Sequence, residues 1–145
     1  MRRFPMRRKE QIIAAVWIPD GDEHEYINSR NFIILNVYDN SRAFLILTIL
    51  NSKLLNFWYK KKYSTQISSF TQIKNSQLKT FPIPKNVAQN DLAMLEKLAL
   101  NVQKIKQENK ADDGGLKKVL DEIDTLVYKI YELDNHEIEK IKKNK

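Results

Sequence analysis

NSRAFLILTILNSKLLNFWYKKKY, residues 40–63, is the stretch on which the fold turns. Phe44, Leu47, Leu50, Leu54, Phe57 and Trp58 recur at three- and four-residue spacing. That period places side chains on one face of an α-helix. The spacing predicts one long amphipathic helix over about residues 42–62, with Phe57 and Trp58 on its inner face. Asp39, Asn40 and Ser41 precede it, and their short side chains can accept from the free N–H groups of a first turn. Lys60, Lys61 and Lys62 close it, cations that suit the negative end of the helix dipole.

Upstream, residues 10–18 (EQIIAAVWI) and 31–37 (NFIILNV) are apolar and partly β-branched, and Pro19-Asp20-Gly21-Asp22 between them has turn chemistry. They predict a small β-hairpin or meander. Downstream, residues 63–78 are polar, without a strong period, and predict irregular structure or short strands. Phe81-Pro82-Ile83-Pro84 must be extended, because each proline fixes its own φ and disfavours helix in the residue before it. Asn90 is a candidate cap for a helix with Leu92, Leu95, Leu98, Ala99, Val102 and Ile105 on one face. Residues 112–115 (DDGG) break it. Leu116, Leu120, Ile123, Val127 and Ile130 then form a seam of the coiled-coil type. Two helices joined by a short loop should pack antiparallel. Leu133-Asp134, followed by Glu137 and Ile138, has the pattern of a capping box and predicts a short last helix. The expected class is α+β. Residues 1–85 would form a basic recognition part, and residues 86–145 a helical hairpin that makes one compact unit with it.

The charge is divided the same way. Of 145 residues, 1–85 hold 14 Lys or Arg against 6 Asp or Glu, while 86–145 hold 11 against 12. Residues 40–90 carry eight Lys or Arg and no acid at all. A one-sign stretch builds a positive potential suited to a polyanion, whereas an ordinary solvated face mixes signs. With no cysteine, disulfides, thiolate catalysis and Cys-based zinc sites are excluded together. The apolar runs at residues 12–18 and 43–47 are far short of a membrane span, and no signal peptide is legible. A cytoplasmic protein is the expectation.

Catalytic chemistry is missing. Gly21, Gly114 and Gly115 are the only glycines, and none lies in a turn that would cradle a nucleotide or methyl donor. Pro19-Asp20 and Glu108-Asn109-Lys110 imitate pieces of a nuclease motif but lie far apart. His24 sits among Asp22, Glu23 and Glu25, yet adjacent residues point in different directions and converge poorly on one ion, so a solvated loop is the reading. His136 falls in a first turn at the surface. What remains suits nucleic acid. Lys60, Lys61 and Lys62 stand beside Trp58, Tyr59 and Tyr63. Arg7 and Arg8 offer planar forks for phosphate or guanine. Gln66, Gln72, Asn75, Ser76 and Gln77 can donate and accept toward base edges, with Lys74 among them.

The order of these motifs resembles a known family. Residues 51–62 (NSKLLNFWYKKK) look like the central helix of TaqI-like C-terminal specificity domains, found in type II and notably type IIG restriction–modification methyltransferases. Ile73-Lys74, Ser76, Leu78-Lys79 and Phe81-Pro82-Ile83-Pro84 are similar to the segment that follows it there, which also recurs in type I specificity subunits. Ile12-Ile13-Ala14-Ala15 resembles the family's early strand. Ile123-Asp124, Leu126-Val127-Tyr128, Ile130-Tyr131, Leu133 and Glu137-Ile138 look like its closing helix. The pattern departs at Glu132, where glycine is usual after the tyrosine, and this puts the turn before the last helix in question. The resemblance implies a target-recognition domain, itself without catalysis or cofactor. It would hold double-stranded DNA against a separate N6-adenine methyltransferase domain that uses S-adenosylmethionine. The residues expected on DNA are Arg7, Arg8, Lys60, Lys61, Lys62, Gln72, Lys74, Asn75 and Ser76. Two other readings stay open: a structural or protein-interaction module whose basic half is incidental, and an RNA-binding protein, since basic charge and exposed aromatics also suit single strands.

Overall fold

A computed structural model describes residues 12–15, 35–63, 75–107 and 113–143. They form six helices: α1 (Asn40–Asn51), α2 (Lys53–Tyr63), α3 (Asn75–Leu78), α4 (Gln89–Gln107), α5 (Asp113–Ile130) and α6 (Asn135–Lys143). No strand occurs among the described residues, and the expected α+β class is overturned. The two strand-like runs are described only in part, as residues 12–15 and 35–37, and neither part is in a ladder. The turn expected at Pro19 to Asp22 lies outside the described residues, as do His24 and residues 108–112.

Residues 12–15 have no need of a partner strand. The Ile12 N–H donates to Asn56 Oδ1 at 2.8 Å, and the Ala14 N–H to Asn51 Oδ1 at 3.1 Å. Asn51 Nδ2 returns a bond to the Ala14 carbonyl at 3.0 Å. Two side-chain amides thus satisfy backbone groups that a sheet would otherwise pair, and Ile12 is buried in the core.

The long helix is also corrected: it is two helices that meet at Ser52. Ser52 is extended, with φ −72° and ψ 154°. Its buried hydroxyl donates to the Ile49 carbonyl at 2.8 Å and accepts the Leu55 N–H at 3.1 Å, so one side chain closes α1 and opens α2. Asp124 of α5 completes the second cap, its Oδ1 accepting the Lys53 N–H at 2.9 Å. Lys53 Nζ then lies 3.0 Å from Asp124 and 2.7 Å from Asp121. At the other end of α1, Asp39 is the expected cap and accepts from the Ser41 N–H at 3.0 Å.

One apolar cluster joins both sides of Pro84. Leu45, Ile49 and Leu55 from the first part and Leu95 and Val127 from the second are fully buried in it. Each such side chain contributes about 1.5–3 kcal/mol through burial. α1 packs on α4 and α5, α4 on α5, and α2 on α5 and α6. Asp91 in the first turn of α4 meets Lys129 in the last turn of α5 at 2.7 Å, so these two helices run antiparallel. The seam expected on α5 holds at Ile123 and Val127, which are buried, and departs at Leu120, which is 42 % exposed while its neighbour Val119 is buried. Tyr128, which is not among the seam positions, is buried as well. α5 faces α1, α2 and α4, and a narrow two-helix seam cannot serve three neighbours. α4 begins at Gln89, one residue before the expected cap Asn90, with the Ala88 carbonyl accepting from Asp91 and Leu92. Residues 113–115, expected to break the helix, instead lie in the first turn of α5.

The connector between the halves is tied down. Arg42 donates to the Pro84 and Lys85 carbonyls, and Tyr131 donates to the Pro82 carbonyl. Burial pushes the Tyr131 hydroxyl up to about 12, so it remains a donor through the neutral range. The turn after α5 forms despite Glu132. Leu133 N–H reaches the Tyr128 carbonyl at 3.1 Å and Glu132 N–H the Lys129 carbonyl at 3.0 Å, a Schellman pair with Glu132 at φ 54°. The capping box follows as expected: the Glu137 N–H donates to Asp134 Oδ1, and the Asp134 N–H to Glu137 Oε2. A left-handed L-residue costs about 1–2 kcal/mol, partly offset in a glycine variant by glycine's greater unfolded-state freedom. Glu132→Gly should therefore raise stability by about 1 kcal/mol in urea unfolding. A lowered midpoint would mean that the Glu132 side chain contributes more than its backbone costs.

Candidate nucleic-acid interface

The last turn of α2 carries Lys60, Lys61 and Lys62 on a rigid base. Tyr59, half a turn earlier, is buried, and its hydroxyl donates to the buried Gln77 Oε1 of α3 at 3.2 Å. Burial pushes that hydroxyl's pKa up. Tyr63 and Thr80 share a hydroxyl–hydroxyl bond of 2.7 Å, and Thr80 Oγ1 donates to the Gln77 carbonyl. Phe81 stands edge-on to Trp58, with ring centroids 5.6 Å apart and planes at 89°, and edge-on to Tyr59 at 6.2 Å. These contacts hold the turn after α3 against the C-terminal end of α2.

The cations decorate the outer side of this aromatic layer. Lys62 Nζ lies 4.5 Å from the Trp58 ring centroid and 5.8 Å from that of Tyr63, and Lys61 Nζ lies 5.9 Å from Phe57. Lys61 and Lys62 are exposed, and Lys60 is half-buried. A cation over a ring face is steered without being neutralised, so its charge stays available to an anion. Ser76 and Lys79 are exposed on the neighbouring turn. The structure thus brings together Lys60, Lys61 and Lys62 with the segment that starts at Asn75 and Ser76, residues that the chain separates by more than a dozen positions.

Other expected contacts fare differently. Arg7, Arg8, Gln66, Gln72 and Lys74 lie outside the described residues. Gln77, expected to face base edges, is instead buried, where it accepts from Tyr59. Phe57 and Trp58, expected on the inner face, are only half-buried, and Tyr59 is the aromatic of α2 that enters the core. Among the cations of residues 40–90, Arg42 holds the connector and Lys53 the acids of α5. Burial alone would lower the Lys53 pKa, but bonds to Asp121 and Asp124 outweigh it and raise it above its ordinary value. Sequence reasoning did not single out Lys79 as a contact, although its place in the acid-free stretch, one residue before Thr80, was a usable signal. Nor did it find Asp124, whose partner is 71 residues away. His136 is exposed in the first turn of α6. Among the described residues no cluster of His, Cys, Asp or Glu could hold a metal ion, and no helix is long and apolar enough to cross a membrane.

The family model described as the TaqI-like C-terminal specificity domain matches residues 7–83, more than half of the chain. The match takes in the clasp at Asn51 to Asn56, the lysines of α2 and all of α3. No curated protein and no solved structure matches the chain.

Proposed function

The chain belongs to the family of TaqI-like C-terminal specificity domains, and from that premise we propose that it reads DNA sequence for a restriction–modification methyltransferase. It would position double-stranded DNA for a separate methyltransferase domain of the type IIG kind, to which S-adenosylmethionine and all the chemistry would belong. The observation that carries this reading is the pairing of α2 with the turn after α3. It sets Lys60, Lys61, Lys62 and Lys79 beside exposed Ser76, within a stretch that has no acid. Lysines neutralise phosphate and release counterions, which supplies affinity. Polar side chains of the same turn supply contacts to base edges, where sequence is read. Arg7, Arg8, Gln72, Lys74 and Asn75 would extend the surface, and the chain itself would act without catalysis.

Titration with fluorescein-labelled duplex DNA over a salt series tests the proposal. With about four to six phosphates contacted, log K should fall against log salt with a slope of roughly four to five. An affinity that does not change with salt would remove the electrostatic basis. A preference for single-stranded RNA in competition would favour an RNA-binding role instead.

A further inference from the structure

The antiparallel pair α4 and α5 does not bury all of its apolar surface. An open groove of about 660 Å³ runs between the two helices, with a second hollow beside it on α4. Met94 and Leu98 line both, Leu126 lines the groove and Leu100 the hollow, and of these Met94 is 48 % and Leu100 44 % exposed. Four exposed lysines stand around the two, Lys117 and Lys118 of α5 on the groove and Lys97 and Lys104 of α4 on the hollow, while Lys129 on the groove is paired with Asp91. None of the four forms an ion pair among the described residues. On the rim, Asp121 is already bonded to Lys53, and Glu122 is the one further acid.

We propose that this groove is a docking surface for an acidic amphipathic helix of a partner protein. A contiguous apolar strip beside exposed methionine is the surface on which a helix lays its own apolar face. The ring of lysines selects the sign of the flanks: glutamates and aspartates beside the partner's apolar stripe would meet Lys97, Lys104, Lys117 and Lys118. A second copy of this chain fits poorly, because a two-fold contact would set the same lysines against each other. Duplex DNA fits poorly too, since its backbone offers charge but nothing apolar to cover the floor. The groove lies on the half of the chain that carries no net positive charge, apart from the surface proposed for DNA.

The test uses a labelled peptide of about 20 residues, long enough to hold a helix in water, with leucine at helical spacing and glutamate elsewhere. A control peptide carries lysine in place of glutamate. Fluorescence anisotropy on the full chain should show binding of the acidic peptide and none of the basic one. Lys117→Glu with Lys118→Glu should weaken the acidic peptide at least about tenfold, since charge pairs at a docking rim are being reversed. Met94→Ser, at a half-exposed position, should weaken it without loss of helicity by circular dichroism. Equal binding of both peptides, or of neither, would overturn the proposal. So would displacement of the peptide by duplex DNA, or a concentration-dependent dimer that Met94→Ser abolishes. The charge-reversed variant should keep its DNA affinity. If it loses both ligands while folded, the separation of the two surfaces fails; if only DNA binding is absent from every variant, the DNA reading fails and the groove stands.

Discussion

Asp124→Ala should destabilise the chain by about 3 kcal/mol, the upper range for a hydrogen-bonded charge at a buried site. Asp124 is 7 % exposed, and it accepts both the backbone N–H and the ammonium of Lys53. Without it the first N–H of α2 has no acceptor, and the favourable charge at that helix start is lost. Lys53 itself is half exposed and can turn to solvent, so a stranded cation adds little. Asp124→Asn keeps an acceptor oxygen for the N–H and should lose only about half as much. Urea unfolding of the three proteins, compared at equal m-values, is the measurement. An alanine variant within about 0.5 kcal/mol of the parent would show that Ser52 alone holds the corner. The neighbouring pair adds a pH signature. The Lys53 hydrogen bond holds the Asp121 carboxyl below its ordinary value of 3.8. Because the folded value is depressed, that contribution is fully present above pH 3.8 and fades as pH falls through the lower folded value. Replacing Lys53 with methionine should flatten this acid loss.

Lys60→Ala, Lys61→Ala and Lys62→Ala together should reduce duplex affinity on the order of a hundredfold at low salt and lower the salt slope by about three. The loss should be nearly the same for every sequence, because a flexible ammonium contacts phosphate as a point charge. Alanine is the strongest helix former, so α2 should persist, and Tyr59 should still hold α3. Anisotropy against several duplexes, with helicity checked by circular dichroism, separates the outcomes. Loss confined to one sequence would make these lysines base readers. An unchanged affinity and slope would place the DNA surface elsewhere on the chain.

The NSKLLN motif, residues 51–56, carries the family resemblance, and it serves the fold before it serves DNA. Asn51 and Asn56 hold residues 12–15, Ser52 turns the chain, and Lys53 reaches the acids of α5. Motif strength in the sequence therefore marks the frame. Of the proposed contact residues, Lys60, Lys61 and Lys62 end the same periodic stretch, whereas Gln72, Lys74, Asn75 and Ser76 lie in sequence without a strong period.

The sequence by itself determined whatever depends on near neighbours. The Asp39 cap, the Asp134–Glu137 box, the helix-free Pro82-Ile83-Pro84 and the amphipathic α4 and α5 all follow from residues within a few positions of one another. The charge division likewise needs no coordinates. Only the tertiary structure decided the rest. Ser52 sits in an unbroken apolar period, and nothing local requires a helix to end there; the second cap comes from Asp124, far along the chain. Residues 12–15 have strand composition, but Asn51 and Asn56 satisfy their backbone, and β propensity specifies no fold once its hydrogen bonds are made elsewhere. Val119 replaces Leu120 in the core because α5 must face three helices at once. Each of these turns on which groups meet in space, and a periodic pattern carries no information about partners dozens of residues away.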